Sequence, residues 1–294
     1  METIVPLISG GQTGPLGIVH LPRFWLKMRA HAIGALPDGY RHGNGGTDEA
    51  LMTTFGIDAD AFAGFIASDA PDYIATEAWV RANAGDLSAE TIREFNEYTT
   101  TFDMPDPRLT EWTQRFGLAK GNYKAILLNQ LDDWDGMHRL LLASDAPVTP
   151  LVPLIGSDVA GPLGVFHLPR LWLKHRLHGV GRLAEGYRHG IGGFDEVLTS
   201  KLGVDRDAFA SYVETETPDY LSAEAWIRTH ATTLSAETLA DTNAHMLATK
   251  MPAEMAAKRR AELGPAAAEL EHGIPLNNLD DWAGAHRQLK AVAV

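Results

Sequence analysis

The sequence contains no cysteine and comparatively few basic residues. Without cysteine among its 294 residues, it cannot form disulfides, thiolate nucleophiles or cysteine-ligated metal centres. Its 25 lysines and arginines stand against 38 acidic residues, which gives a formal net charge of −13. Because nucleic acid is a polyanion and no basic cluster interrupts this acidic balance, we expect no nucleic-acid partner.

Long apolar runs and strand patterns are also missing. No stretch approaches the roughly 20 apolar residues that span a bilayer, and the first residues do not resemble a secretion signal. We therefore expect a cytoplasmic protein with no membrane partner. Sustained alternation of β-branched residues is absent, whereas alanine-rich helical windows are common. The sequence predicts a mainly α-helical fold.

The main positive feature is an internal repeat. Residues 14–49 and 161–196 match at 24 of 36 aligned positions without a gap, and shorter matches continue to the end of each half. This spacing exceeds the roughly 20 to 50 residues of solenoid units, so it indicates a duplicated domain. We predict two homologous helical domains, residues 1–146 and 147–294, related by a pseudo-two-fold axis. The boundary is expected at residues 144–150, and a homodimer is left open.

Helix signals divide each half further. Pro22 suits the first turn of a helix predicted over residues 21–36, with a counterpart over 168–183. Gly56 is expected to follow a short helix, and Asp58 to cap the next. The last helices of the two halves are predicted over residues 131–142 and 279–291.

A basic stripe runs along the first predicted helix. At 100° per residue, Arg23, Lys27 and His31 lie within a narrow arc that also includes His20. The second half repeats the stripe as His167, Arg170, Lys174 and His178. One interpretation is a solvated face that pairs with the excess acids. The alternative is an inward stripe whose Arg23, Lys27, Arg170 and Lys174 bind a carboxylate, phosphate or enolate, with His20 and His167 contributing. In this interpretation His31 and His178 are assigned to catalysis.

A glycine-rich loop follows the stripe in both halves. Its polar members are Tyr40, Arg41, His42 and Asp48, repeated as Tyr187, Arg188, His189 and Asp195. Asp48 is open to two interpretations, a helix cap or a functional carboxylate. The tyrosine, arginine and histidine are not needed for a plain turn. We therefore assign Arg41 and Arg188 to substrate binding, and the tyrosines, histidines and aspartates to catalysis.

Histidines are retained unusually well between the halves. The four in the first half, His20, His31, His42 and His138, all have counterparts, the last being His286. Histidine titrates near neutrality and is a common metal ligand, so acid–base and metal chemistry both stay open. Four more occur only in the second half, namely His175, His230, His245 and His272. We therefore expect the second half to carry more of the function.

A pair of aspartates precedes His138 in the first half and His286 in the second. Asp132 and Asp133 return as Asp280 and Asp281. In a first helical turn, carboxylates are favoured by the helix dipole alone. The alternative is that one of them orients a histidine or meets the basic stripe.

The pattern Leu-Pro-Arg-x-x-x-Lys-x-Arg, then Gly-Tyr and an aspartate eight residues after the tyrosine, resembles a bacterial family of small domains of unknown function. The resemblance covers about residues 16–81 and 163–228. The chain differs from the family pattern in its duplication and in carrying His42 and His189 in the glycine-rich loop. The resemblance implies domain organisation and no activity.

Two classes of function remain. The sequence favours a cofactor-independent acid–base enzyme of lyase, isomerase or hydrolase type, in which arginine and lysine hold a small anionic or carbonyl-bearing metabolite and histidine carries protons. The alternatives are a histidine-ligated metalloenzyme and a non-catalytic protein that binds a metabolite. No residue is assigned to a metal on sequence alone.

Overall fold

The computed structural model describes residues 3–143 and 149–292, so most of the predicted boundary at 144–150 lies outside the described residues. These ranges hold fourteen α-helices and one 3-10 turn, with isolated bridges but no strand. The mainly α-helical prediction is confirmed. The helices of the first half are α1 Leu21–Ala32, α2 Gly46–Thr54, α3 Ala59–Asp69, α4 Tyr73–Asn83, α5 Ala89–Thr101, α6 Arg108–Arg115 and α7 Ala125–Leu142. Their counterparts are α8 Leu168–Gly179, α9 Gly193–Leu202, α10 Arg206–Thr215, α11 Tyr220–His230, α12 Ala236–Ala248, α13 Ala253–Leu263 and α14 Gly273–Val292.

The chain forms two compact units, and they do not coincide with the sequence halves. Unit 1 contains residues 1–130, 261–269 and 282–294, and unit 2 contains residues 131–260 and 270–281. The larger part of α7 therefore belongs to unit 2, and the end of α14 belongs to unit 1. Each sequence half contributes its last helix to both units.

Each unit is organised around its most deeply buried helix, α1 or α8. Ten of the twelve residues of α1 are buried, and the ring of Phe24 stacks on Phe62 of α3 with centroids 4.9 Å apart. The indole of Trp25 donates to the carbonyl of Pro71 at 3.0 Å, just before α4. Trp172 of α8 makes the equivalent bond to Pro218 at 3.0 Å. A helix buried on all faces forces its polar side chains to find partners inside the protein.

The central helices are shorter than the sequence predicts. Helix α1 ends at Ala32 rather than near residue 36. Gly34 adopts a φ of 69°, and the amides of Gly34 and Ala35 bond back to His31 and Ala30. This left-handed glycine stop recurs at Gly181 after α8.

The last helix of each half is longer than predicted. Helix α7 begins at Ala125 and α14 at Gly273, six residues before the expected starts. Asp133 and Asp281 therefore lie in the middle of their helices rather than in a first turn. The dipole interpretation of these aspartates is wrong. In contrast, Asp58 caps α3 as expected, accepting from the amide of Ala61 at 2.8 Å.

None of the described helices alone has both the length and the apolar composition to cross a bilayer. Helices α2 and α3 meet those criteria only when taken together, as a pair bent by 105°.

Candidate functional site

In unit 1 a buried carboxylate joins α1 to the glycine-rich loop. Asp48 of α2 accepts from Nε2 of His20 at 2.7 Å and from Nζ of Lys27 at 2.5 Å. Its Oδ2 also accepts from the amide of Gly43 at 3.0 Å. Asp48 does not cap α2, so the capping interpretation is wrong. Its carboxylate instead holds the loop against the central helix.

Unit 2 repeats this arrangement around Asp195. His167 donates from Nε2 to Oδ1 at 2.6 Å, and Nζ of Lys174 lies 2.5 and 2.6 Å from the two oxygens. The amide of Gly190 donates to Oδ2 at 2.7 Å. Both histidines immediately precede their helices, with φ values of 69° for His20 and 71° for His167. A residue other than glycine rarely adopts this left-handed backbone conformation unless other contacts compensate for its strain. Here the hydrogen bond from each histidine to its aspartate provides that compensation.

Charge and burial set the protonation of these clusters. Burial alone would raise the pKa of Asp48 and Asp195, yet the histidine and lysine bonds hold each pKa well below its usual range. Burial lowers the pKa of His167 to about 4, against the opposing effect of Asp195. Each cluster therefore contains an ionised aspartate beside a neutral histidine at pH 7. Nδ1 of His167 is buried and contacts no hydrogen-bond partner.

The arginines of the stripe donate to backbone carbonyls of the segments that precede the central helices. Nη1 of Arg23 donates to the carbonyls of Pro6 at 2.5 Å and Ile8 at 3.0 Å, and Nη2 donates to the Tyr40 hydroxyl. Arg170 makes the same two carbonyl bonds, to Pro153 and Ile155.

Asp281 completes this arginine site in unit 2. The carboxylate lies 2.7 Å from Nη1 of Arg170 and accepts from the Tyr187 hydroxyl at 2.7 Å. Burial, then Asp281, raises the pKa of Tyr187. The alternative interpretation of the paired aspartates, that one meets the basic stripe, is confirmed for Asp281.

The two interpretations of the stripe are thus resolved in part. Arg23, Lys27, Arg170 and Lys174 are buried rather than solvated, but each also donates to protein acceptors. The N–H groups of these four cations donate to other parts of the same unit and so stabilise the fold. The spacing of the cations in the sequence does not indicate these acceptors. Of the cations that the sequence assigns to substrate binding, Arg41 and Arg188 are the exposed ones.

A histidine pair lies beside each buried cluster. The rings of His31 and His42 stack with centroids 3.6 Å apart, and those of His178 and His189 stack at 3.7 Å. One member of each pair ends the central helix, and the other comes from the glycine-rich loop. Burial, then the charge of His42, lowers the pKa of His31. The structure therefore brings together two histidines that belong to separate sequence motifs.

In unit 2 a glutamate joins this pair. Glu214 of α10 has Oε2 3.1 Å from Nδ1 of His178, and its Oε1 accepts from Nδ1 of His175 at 2.8 Å. The available ligand atoms of His178, His189 and Glu214 all lie within 4.8 Å of one another. These three side chains are partly exposed, whereas His175 is buried. We call His178, His189 and Glu214 the unit 2 triad.

Unit 1 has the histidine pair without the acid. Met28 occupies the position of His175, and Ala67 occupies the position of Glu214. Glu214 has no counterpart in the first half, so the residues retained in both halves do not reveal it. A usable signal was present: His175 and Glu214 appear together, only in the second half. Through its bond to Glu214, His175 of α8 reaches the neighbouring helix α10.

The other histidines unique to the second half lie elsewhere. His230 stacks on Trp226 at 3.9 Å, and His245 and His272 are exposed. None of these three belongs to the unit 2 triad.

Comparison with known families identifies the repeated domain. The chain matches the family described as Domain of unknown function (DUF5069) over residues 14–125 and again over residues 155–279. These matches cover well over half of the chain, so it belongs to this family, in two copies. The family domain extends further than the resemblance at residues 16–81 and 163–228 implies. No curated protein matches the chain.

Proposed function

We propose that this member of the family binds a divalent transition-metal ion in unit 2, through His178, His189 and Glu214, and uses it in hydrolase- or lyase-type chemistry. The carrying observation is the convergence of two imidazoles and one carboxylate within 4.8 Å. Two histidines and a glutamate are a known ligand set of catalytic zinc sites, which keep a further position for water or substrate. The proposal develops the metalloenzyme alternative left open by the sequence.

The ligand distances suit this role. Tetrahedral zinc with bonds near 2.1 Å needs ligand atoms about 3.4 Å apart, and the 3.1 Å between His178 and Glu214 is close to that. The triad is partly exposed, so an ion and a substrate can reach it. Burial, then the charge of His178, lowers the pKa of His189, which favours the neutral ring that a metal requires.

His175 positions the acid. Its ring is 1% exposed and donates to Glu214 at 2.8 Å, leaving the other carboxylate oxygen beside His178. Such outer hydrogen bonds orient metal ligands, and their loss typically costs about 10–100-fold in metal affinity. In this proposal His175 is a positioning residue.

The exposed cation nearest in sequence to the unit 2 triad supplies a contact for an anionic group of the substrate. Arg188 precedes His189 and is exposed, so its guanidinium is accessible to a carboxylate or phosphate of the substrate. Arg188 thus takes the substrate-binding role. From the sequence alone, that role is shared among Arg23, Lys27, Arg170, Lys174, Arg41, Arg188, His20 and His167.

A second candidate function is metal-independent proton transfer by the stacked histidines. It is favoured by one observation, the presence of the same stacked pair in both units, at 3.6 and 3.7 Å. A neutral histidine whose pKa has been lowered can act as a general base. In this candidate, unit 1 and unit 2 are both active.

Metal binding by the purified full chain tests the first candidate. Chelator-treated protein titrated with Zn²⁺ in a calorimeter should bind one equivalent per chain. Glu214→Gln and His189→Ala should abolish that binding, and His175→Met should weaken it by about 10–100-fold. Methionine is the matched choice because unit 1 carries Met28 at this position.

His42→Ala is the control. It removes a histidine of the unit 1 pair, which has no glutamate, and should leave zinc binding unchanged. Zinc binding that survives Glu214→Gln, or that disappears with His42→Ala, contradicts the proposed site. Absence of binding in the wild type leaves the second candidate, which metal chelation would not affect.

A further inference from the structure

Two other arginines are more deeply buried than any cation of the candidate site. Arg176 of α8 is 1% exposed and Arg29 of α1 is 2% exposed. In Arg176 the atoms Nε, Nη1 and Nη2 are all buried, and none has a hydrogen-bond partner among the described residues, 3–143 and 149–292. Burial accordingly lowers the pKa of Arg176. A buried guanidinium without acceptors is far more costly than a paired one, so this cation requires a partner beyond those that the described residues provide.

A histidine with the same deficit lies near Arg176 in unit 2. Nδ1 of His138, on α7, is buried and has no hydrogen-bond partner. Burial, then the positive charge of Arg176, lowers the pKa of His138. The carboxylate whose charge opposes this effect most is Asp219, which already caps α11 by accepting from the amide of Ser222 at 2.7 Å. Arg176 and His138, whose charges interact, thus both present buried polar atoms that have no acceptor among the described residues.

Unit 1 contains a second copy of this pairing. Nε of Arg29 and Nδ1 of His286 are buried without partners. Burial, then the charge of Lys290, lowers the pKa of His286, and Arg29 contributes to the same shift. Arg29 and Arg176 occupy equivalent repeat positions, as do His138 and His286. A costly feature present in both copies indicates a role that compensates for the cost.

We propose that Arg176 and His138 bind a small oxyanion inside unit 2, and that Arg29 and His286 form the equivalent site in unit 1. The planar guanidinium matches two oxygens of a carboxylate, sulfate or phosphate, and a neutral His138 that carries its proton on Nδ1 can donate a further bond. His286 also bonds to the backbone of Pro71, so in unit 1 the guanidinium of Arg29 is the main donor. The depth of Arg176 limits the ligand to inorganic phosphate or sulfate, or to a short carboxylate. These sites contain no member of the unit 2 triad and do not depend on metal binding.

Phosphate binding by the full chain tests this inference. The protein is first dialysed into a buffer free of oxyanions and containing a chelator, which separates this measurement from zinc binding. Equilibrium dialysis with labelled inorganic phosphate, at ionic strength fixed with sodium chloride, should show saturable binding of two equivalents per chain. Arg176→Met should remove one equivalent, and the double variant Arg29→Met, Arg176→Met should remove both.

Arg139→Met provides a surface control. Arg139 follows His138 in sequence, but its side chain is 63% exposed and pairs with Asp135. This variant should bind two phosphates like the wild type. If Arg176→Met does not fold, Arg176→Lys keeps the charge without the planar fork and should weaken binding at one site by about 10-fold or more.

Competition with unlabelled anions identifies the chemical class of oxyanion that the sites bind. Displacement of labelled phosphate by sulfate but not acetate would indicate a tetrahedral oxyanion, and displacement by acetate would extend the site to carboxylates. Both results support the proposal. No saturable phosphate binding by the wild type, or full binding by a folded Arg176→Met variant, would overturn it.

Discussion

Trp134 packs edge-on against Tyr220, with ring centroids 4.5 Å apart, although the two residues belong to different sequence halves. Both rings lie in unit 2. In unit 1, Trp282 packs against Tyr73 in the same way at 4.6 Å. Each tryptophan is 1% exposed. Each compact unit is therefore completed by the last helix of the other half of the sequence.

This exchange predicts the behaviour of an isolated half. A fragment of residues 1–143 lacks Trp282 and should form a homodimer, in which α7 of each copy supplies its Trp134 to Tyr73 of the other. Trp134 and Trp282 occupy equivalent positions in the repeat, so Trp134 of one copy can take the place of the missing Trp282 against Tyr73 of the other. Light scattering measures the mass directly. A folded monomeric fragment would contradict the prediction, and Trp134→Ala in the fragment should abolish the dimer.

The glycine before the central helix has a specific steric role. A Cβ at Gly161 would lie 2.2 Å from the hydroxyl oxygen of Tyr220, and one at Gly14 would lie 2.3 Å from the Tyr73 ring. These tyrosines are buried and donate to Glu224 and Glu77, so they have little freedom to move. Gly161→Ala should therefore lower the free energy of unfolding by about 1–3 kcal/mol or more.

Gly136→Ala is the matched control for this substitution. Gly136 lies within α7, and apart from its chain neighbours and the backbone of that helix, no atom of the described residues lies within 4 Å of a Cβ at that position. Alanine should stabilise the helix there by about 0.5–1 kcal/mol. Denaturant unfolding of both variants measures the change in the free energy of unfolding, which should be negative for Gly161→Ala and positive for Gly136→Ala. An unchanged free energy of unfolding in Gly161→Ala would show that Tyr220 can move to accommodate the methyl group.

The buried histidines predict a pH dependence of stability. Burial lowers the pKa of His167 to about 4, whereas an unfolded histidine titrates near 6.5. The unfolded state therefore binds more protons between these values. Stability contributed by the neutral ring is complete above about pH 6.5 and is lost as the pH falls towards 4, by about 3 kcal/mol. Asp195, Lys174 and Arg170 are the charged groups that act on this ring.

Urea unfolding between pH 7 and pH 4.5 measures this loss. His167→Gln cannot titrate, so its unfolding free energy should depend less on pH than that of the wild type. His20, whose pKa burial also lowers, contributes a loss of the same sign in unit 1 and remains in the variant. Asp195 has a pKa below its usual range, so its contribution is lost only below about pH 3.9. Equal slopes for the two proteins would contradict a neutral buried His167.

The sequence predicts the helices well because local signals determine them. Asp58 as a cap and Gly56 as a stop need only their neighbours in the chain. The exchange of α7 and α14 between units could not be predicted, because duplicated halves offer similar packing surfaces to either helix. The burial of Lys27 and Arg23 likewise depends on acceptors supplied by distant residues. Repeat comparison selected shared residues, so it missed Glu214, which has no counterpart in the first half.

The difference between the units can be tested by transferring the missing residues. Unit 1 already contains His31 and His42, stacked as in unit 2, but it has Met28 and Ala67 where unit 2 has His175 and Glu214. Ala67 is exposed, so a glutamate can be accommodated there. If the proposed metal site is correct, the double variant Met28→His, Ala67→Glu should bind two zinc ions per chain instead of one.

Each single change gives a control for this gain. Ala67→Glu alone should bind the second ion about 10–100-fold more weakly than the double variant, because the acid lacks its orienting histidine. Met28→His alone supplies no carboxylate and should leave the stoichiometry at one. A double variant that folds and still binds one ion would show that the unit 2 triad needs features beyond these four side chains. The sequence-based expectation that the second half carries more of the function depends on this measurement.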